Sequence, residues 1–312
     1  MAVVALLGDI NIDLVLDIPA YPGEGGEAIA TGQTVAIGGS ATNTAIALAR
    51  AGHECRLIGC VGQDAWGRQA LSELQKAGVS TLWIGQDPAE PTQLNVVAVS
   101  ATGERTMFAY RGANAQLSDD MIDEAALAGA ALLHLSGYAF LQPRQAGAAL
   151  RAIDIAEQRG IPITLDVPGG VVAALADALR PLLSKLDTIL LADGDLPQLL
   201  GRPRDATLDS LVAALLEQGV KRVAIKGHGT DSLLRQANTG DSAPWFPVEV
   251  VDTVGAGDAF AAGHIHGRIT GLSAAYCCRL ANAFGAVAVT RKGAGQAMPS
   301  LDEVLNLMTG AR

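Results

Sequence analysis

The stretch Asp252-Thr-Val-Gly-Ala-Gly-Asp-Ala-Phe260 decides how the chain is read. Before it runs Phe246-Pro-Val-Glu-Val-Val251, whose β-branched residues predict a short strand. After it, apolar residues at helical spacing predict a helix over 258–269. Gly255 and Gly257 would then sit at a strand-to-helix junction, where glycine frees the backbone to take a positive φ. Unpaired N–H groups at a helix start, with the positive end of its dipole, bind anions such as phosphate. A carboxylate there, Asp258, repels a bound phosphate unless it takes a proton from an incoming nucleophile. The combination suggests phosphoryl transfer to a hydroxyl. An Asp that merely caps its own helix after a glycine turn gives the same letters.

Other glycine motifs fit less well. Phe260 stands where a dinucleotide fingerprint needs its third Gly or Ala, which disfavours a nicotinamide enzyme. No Gly-Lys-Ser/Thr P-loop occurs in the chain. Gly23-Glu-Gly-Gly-Glu-Ala28 matches the loose fingerprint by letter, but no helix pattern follows it and it reads as a loop.

The 312 residues are 49% hydrophobic and 17% charged, enough for a large core in one domain or two. A net charge of −10 argues against nucleic acid or an anionic membrane as partner. A phosphorylated ligand would therefore need local help from Arg, Lys or helix ends. The apolar opening lacks a basic leader, meets Asp9 early, and reads as a buried strand rather than a signal peptide. No uncharged apolar run approaches membrane-spanning length. Cys55, Cys60, Cys277 and Cys278 have no zinc-site spacing and read as reduced, buried thiols of a cytoplasmic protein. His264 and His266 lie two apart on a predicted helix and face different ways, so no His is given a role.

In chain order, a buried strand over 3–7 ends in Gly8-Asp-Ile-Asn-Ile-Asp13. Asn11 and Asp13 alternate with apolar neighbours, so in an extended segment they share a face and suit the hydroxyls of a polyol. Two solvated loop residues would look the same. Strand-like pieces follow at 14–18 and 28–35. Gly38-Gly39 then opens a helix over 44–51, and Asn43 can point into the space that Asn11 and Asp13 face. A strand over 55–61, a helix over 65–77 and a short strand over 82–84 come next. Alternating runs at 94–100 and 104–110 flank Ala101-Thr-Gly103, a hairpin signature. This hairpin and the segment after Asp13 are the strand-rich stretches that no helix interrupts, and they are expected to meet as a small separate sheet, with Arg105 and Arg111 on it or at its edge.

From about residue 115, helices (144–159, 171–183 with a break near Pro181, 208–218) alternate with strands (132–135, 162–166, 188–191, 222–225). That alternation means an α/β fold with a doubly wound, mostly parallel sheet, which binds ligands at the carboxyl ends of its strands. Asn11, Asp166, Lys226 and Asp252 fall at such ends. A last long helix, 274–288, carries Asn282, and Ala281, Ala283 and Gly285 either leave room for a flat ring or serve close packing. A short helix over 301–308 ends the pattern.

Three segments in this order resemble the ribokinase-like, or phosphofructokinase-B, group of carbohydrate kinases: Gly38-Gly39 with Asn43, Gly59-Cys-Val-Gly-Gln-Asp-Ala-Trp-Gly67, and Asp252-Thr-Val-Gly-Ala-Gly-Asp258. The resemblance covers essentially the whole chain. It implies a large α/β domain (1–13, 36–91 and 112–312) and a small β lid (14–35 and 92–111). It implies Asp258 as catalytic base and the amides of Gly255, Ala256 and Gly257 as an anion hole for the transferring phosphoryl group. Asn11, Asp13, Gly38, Gly39, Asn43 and Arg105 would hold the sugar, and Lys226, Gly227, Asp252 and Asn282 would line the nucleotide site. ATP and Mg2+ are the implied cofactors, and lids of the family often pair into dimers. Some members add K+, for which Asp252, Ala288, Arg291 and Gly293 are the candidate positions, although Ala297 lacks a hydroxyl often found there. The family's Asn-x-x-Glu element is replaced by Ala192-Asp-Gly-Asp195, in which Asp195 can stand for the Glu and act on the metal through water. The expected substrate is a free sugar such as ribose or fructose. A nucleoside kinase with its base under the lid, or a sugar-binding protein without turnover, are the alternatives.

Overall fold

In the computed structural model, residues 1–310 are described apart from His228 and Asn238. The strands are β1 (Val3–Leu7), β2 (Asn11–Ile18), β3 (Gly32–Gly38), β4 (Glu54–Gly62), β5 (Val79–Ser80), β6 (Ile84–Asp87), β7 (Gln93–Ser100), β8 (Arg105–Tyr110), β9 (Leu132–Ser136), β10 (Ile163–Asp166), β11 (Thr188–Ala192), β12 (Arg222–Lys226), β13 (Ser232–Gln236) and β14 (Thr239–Ala243). The helices are α1 (Ser40–Arg50), α2 (Ala65–Lys76), α3 (Pro143–Gln158), α4 (Val172–Leu179), α5 (Leu196–Leu200), α6 (Leu208–Glu217), α7 (Ala256–Ile269), α8 (Ala274–Ala288) and α9 (Leu301–Thr309).

The large sheet runs β14-β13-β12-β11-β10-β9-β1-β4-β5, with β6 also paired to β4. It is parallel from β12 to β5, and the β13–β14 hairpin adds an antiparallel edge. Its inner strands, such as β1 and β11, read as apolar runs because helices cover both faces. In β1, Ala5 and Leu7 enter the core beneath α3 and α4, whereas Val4 and Leu6 enter the core beneath α1, α7 and α8. Pro181 ends α4 as the sequence predicts, and the chain continues as a 3-10 turn over Arg180–Lys185.

After β1 the chain leaves this sheet and enters a separate one, ordered β3-β2-β7-β8. β2 pairs antiparallel with β3 and parallel with β7, so Asn11 lies between Gly38 and Gln93. The expected hairpin is β7–β8. Buried polar groups brace the passage between the sheets. Arg111, just after β8, donates to both Asp9 oxygens at 2.6 and 2.9 Å and to Gln145 Oε1 of α3 at 2.6 Å. Asn114 accepts from Ile10 N and donates to Ile10 O and Gln93 Oε1.

Two expectations fail. No strand forms over 246–251. Pro244 and Pro247 lack the amide donors of a ladder, Val250 and Val251 stay exposed, and Val251 N donates to Val289 O beyond α8 rather than to a strand neighbour. The glycine motif therefore starts from an irregular segment, and Asp252 is not at a strand end. The strand expected over 82–84 is instead β5 and β6 on either side of a turn that exposes Leu82.

The Asp9–Arg111 pair gives a direct test of this brace. Asp9 is 4% exposed, so Arg111→Ala strands a buried charge and should cost about 3–5 kcal/mol of unfolding free energy in urea. The double variant Asp9→Asn/Arg111→Met, which buries no charge, should lose clearly less. Equal losses would mean that charge pairing is not what secures the junction.

Candidate active site

Asn11 and Asp13 begin β2, and their side chains meet on one face: Asn11 Nδ2 donates to Asp13 Oδ1 at 3.0 Å. Asn95 Nδ2, from the neighbouring β7, donates to the same oxygen at 2.8 Å and itself accepts from Gln93. Burial pushes the Asp13 carboxyl above its ordinary value, and the bonds from Asn95 and Asn11 pull it back. Gly38 and Gly39 close this pocket from the end of β3. A Cβ on Gly38 would collide with the Asp13 carboxylate; one on Gly39, which has φ 108°, would collide with Asp9 O and lie 2.8 Å from Asn11 Oδ1.

Gly39 is also the N-cap of α1, and one turn on Asn43 donates from Nδ2 to Asp258 Oδ2 at 2.7 Å. Asn43 Oδ1 accepts from Gly295 N at 2.9 Å. The first turn of α7 follows Gly255, held at φ 76° with no side-chain cap. The early N–H groups of a helix have no partner within it; that of Ala256 donates outside it, to Thr253 O at 3.3 Å. Asp258 sits in that turn, half-buried. Burial raises its carboxyl to about 6; Asp166 adds to the rise, while bonds from Asn43 and Ser40 and the charge of Lys226 oppose it.

Lys226 ends β12 and ion-pairs with Asp166, the last residue of β10. Its Nζ lies 3.2 Å from where a Cβ on Gly257 would stand, so the ammonium rests on the start of α7. Asp252 Oδ1 accepts from Val254 N and from Arg105 Nη1 at 3.2 Å, and Oδ2 accepts from Gly293 N. Arg105 Nη2 also reaches Thr253 Oγ1 at 2.8 Å, so the small sheet touches the glycine motif directly.

The remaining predicted positions are spread around this centre. Gly227 follows Lys226 in a turn where a Cβ would collide with Thr230 O. Asn282, on α8, donates to Ala243 O and Pro244 O, which fixes the exit of β14. Ala281 and Ala283 are fully buried and serve close packing, Ala281 against Gly263 of α7, whereas Gly285 is partly exposed beside Ala256. Arg291 is turned to Glu303 of α9 at 2.9 Å, whereas Ala288 and Gly293 flank the Asp252 loop. Ala192 ends β11 in register with Lys226, and Asp195 closes the short turn after it, near Gly169. Among the described residues no three His, Cys, Asp or Glu side chains gather to hold a metal unaided. The four thiols are free and buried, as expected. His264 is buried, and His266 bonds instead to His53, which matches the expected divergence of the two.

Sequence reasoning missed Gln93, Asn95, Ser40 and Tyr138. Gln93 and Asn95 repeat on β7 the alternation of Asn11 and Asp13, a signal that was present. Tyr138 has no such signature; its phenol is raised by burial and then by Asp258, Asp9 and Asp166. The Asp166–Lys226 pair joins residues 60 apart in sequence and carries no local pattern.

Comparison with known proteins fits this arrangement. The pfkB family carbohydrate kinase model matches residues 1–301. The chain is 33% identical over 299 residues to the ATP-dependent ribose-1-phosphate kinase of Halopiger xanaduensis, covering 95% of each. Among solved structures, it superposes on Arabidopsis thaliana ribokinase complexed with ribose and ATP at a TM-score of 0.84 (26% identity, 98% of each chain). Ribokinase of Thermotoga maritima gives 0.86 at 25% identity, covering 99% of this chain and 100% of the other. No helix among the described residues is long and apolar enough to cross a membrane. The match over nearly the whole length, on a fold that brings Gly38-Gly39 and Asn43 to Asp258, makes the chain a member of the pfkB family of carbohydrate kinases.

Proposed function

We propose that the protein transfers the γ-phosphoryl group of ATP to a hydroxyl of a small sugar, with Asp258 as general base. The observation that carries this reading is the Asp258 carboxylate, held by Asn43 in the first turn of α7 beside the Asn11–Asp13 pocket. Asn11, Asp13, Gly38, Gly39, Asn43 and Arg105 form the sugar side. Lys226, Gly227, Asp252 and Asn282 form the nucleotide side. In the transfer, the sugar hydroxyl gives its proton to Asp258 as its oxygen bonds to the γ-phosphorus. The bond from that phosphorus to the bridging oxygen breaks, and ADP leaves with the electron pair. The N–H groups at Gly255, Ala256 and Gly257 stabilise charge on the passing phosphoryl oxygens.

Mg2+ bound to ATP would neutralise phosphate charge, and hard oxygen donors such as Asp195 suit it through water. For K+, the Asp252 carboxylate is already engaged by Gly293, Val254 and Arg105. That leaves backbone oxygens near Ala288, Arg291 and Gly293, and the reading assigns K+ no step. The small sheet serves as lid: residues 14–35 and 92–111 close over the body formed by 1–13, 36–91 and 112–312. Met107, Phe108 and Tyr110, exposed on β8, support pairing of two lids into a dimer. Four buried, free thiols support a cytoplasmic setting. A coupled ADP-release screen over ribose, deoxyribose, fructose, ribose 1-phosphate and nucleosides tests the class. Turnover on nucleosides alone would replace the free-sugar reading with that of a nucleoside kinase.

Two variants test the residue roles. Asp13→Ala removes a charged acceptor for sugar hydroxyls and should weaken sugar binding by about 1.5–3 kcal/mol in calorimetry, with ATP affinity held. Intact sugar binding would misplace the pocket. Asp258→Asn keeps the shape and the bond to α1 but cannot accept a proton, so kcat should fall about 10²–10⁴-fold with melting little changed. The pH profile carries the same sign. With its carboxyl raised to about 6, Asp258 is protonated and idle below that pH, so wild-type kcat/KM should drop as pH falls through about 6 and level off above it. Near-wild-type turnover of the Asn variant would leave Asp258 a structural residue.

A further inference from the structure

We propose that Asp166 is a positioning residue that holds the Lys226 ammonium against the N-terminus of α7, where the transferring phosphoryl group would lie. The proposal rests on the reading of that helix start as the phosphate site. Three strand ends make the arrangement. β12, β11 and β10 are successive neighbours, and Lys226, Ala192 and Asp166 are their last residues. Lys226 is in register with Ala192, and Asp166 with Leu190, so all three side chains leave the same face of the sheet. Phe260 and Ala261 of α7 pack with Leu190 and Ala224, which places α7 over that face.

To reach Asp166, Lys226 spans two strand spacings, about 9–10 Å. The methyl group of Ala192 leaves that path open; a longer side chain there would stand in it. Asp166 is 3% exposed, so its carboxylate requires a cation, and it fixes a stem that would otherwise be flexible. The fixed ammonium lies 3.2 Å from the Cβ position of Gly257, beside the first-turn N–H groups. Glycine at 257 keeps that approach free of a side chain. At rest the pair is neutral, so the site holds a lysine without needing a phosphate to balance it. A bound phosphoryl group shares the ammonium, and the charge that it gains in the transition state meets a donor already in place. Burial raises the Asp166 carboxyl while Lys226 lowers it, which agrees with the pairing.

The test uses Lys226→Met, Asp166→Asn and the double variant, each checked by melting. Calorimetry with ATP and with AMP comes first, because it needs no turnover. Lys226→Met should weaken ATP about tenfold or more by losing a charge-assisted bond, with AMP unchanged. Equal weakening of both nucleotides would overturn the proposal. Then kcat is measured with the sugar that releases ADP fastest in the screen. Asp166→Asn and Lys226→Met should each lower kcat about 10²-fold, and the double variant should fall no further, because Asp166 acts through Lys226. A double variant that multiplies the two losses, or a Lys226→Met enzyme within about threefold of wild type, sinks it. The double variant removes both buried charges, so a folding defect in Lys226→Met leaves the test standing. Asp258→Asn runs in parallel: if it is inactive while Lys226→Met is active, only the lysine's role fails, and if it keeps turnover, the base reading fails whatever Lys226 does.

Discussion

The hydrogen bond from Asn43 to Asp258, 2.7 Å long, ties together two helices that the rest of the site is built around. A half-buried carboxylate at a helix start needs donors, and here they come from another helix rather than from its own cap. Meeting that need brings α1 and α7 close. The residues between them are small for the same reason: Ala41 and Ala45 on one helix, Ala259 and Ala262 on the other, all fully buried. Thr44 adds a second link to Asp258 O. Asn43 also receives Gly295 N, so the loop after α8 is pulled to the same point. One amide side chain thus joins the first sixth of the chain to two separate segments of its last fifth.

A second constraint sits where the chain leaves β1. The large sheet is buried on both faces, and the small sheet has one strand, β8, exposed along its whole length. Polar residues are therefore placed at the start of β2, where the chain passes from one environment to the other. Asn11 and Asp13 lie there, and Gly38-Gly39 returns to meet them because only glycine leaves space for the Asp13 carboxylate and for φ 108°. The polar lining at this crossing has the same origin: side chains that cannot enter either core line the gap between them.

How much of this was legible depends on whether the cause is local. β1, β9 and β11 could be read from sequence because burial on both faces produces unbroken apolar runs. The small sheet could be read because its strands alternate and no helix interrupts either pair, β2 with β3 or β7 with β8. The segment before Asp252 misled, since β-branched residues suggest a strand whereas pairing needs a partner and amide donors that Pro244 and Pro247 lack. The small residues of α8 admitted two readings, and only the neighbouring α7, invisible in local pattern, shows that Ala281 and Ala283 are packed away. The site was legible where motifs are contiguous, at Gly38-Gly39 and Gly255 to Asp258. It was not legible where partners are remote, as for Asn95 against Asp13 and Lys226 against Asp166.

The acidic balance of the chain sharpens what distinguishes Asp258. A protein of net charge −10 that handles phosphate must neutralise the carboxylates near the cleft, and it does so selectively. Asp9 is held by Arg111 and Asp166 by Lys226. Asp252 faces Arg105 and two backbone amides. The hydrogen-bond partners given to Asp258 are the neutral Asn43 and Ser40, which orient a carboxylate without claiming its charge as a cation would. Desolvation outweighs the bonds from Asn43 and Ser40 and the charge of Lys226, and lifts its affinity for a proton to a pKa of about 6. The same fold therefore pairs some carboxylates with cations and leaves Asp13 and Asp258 to neutral donors.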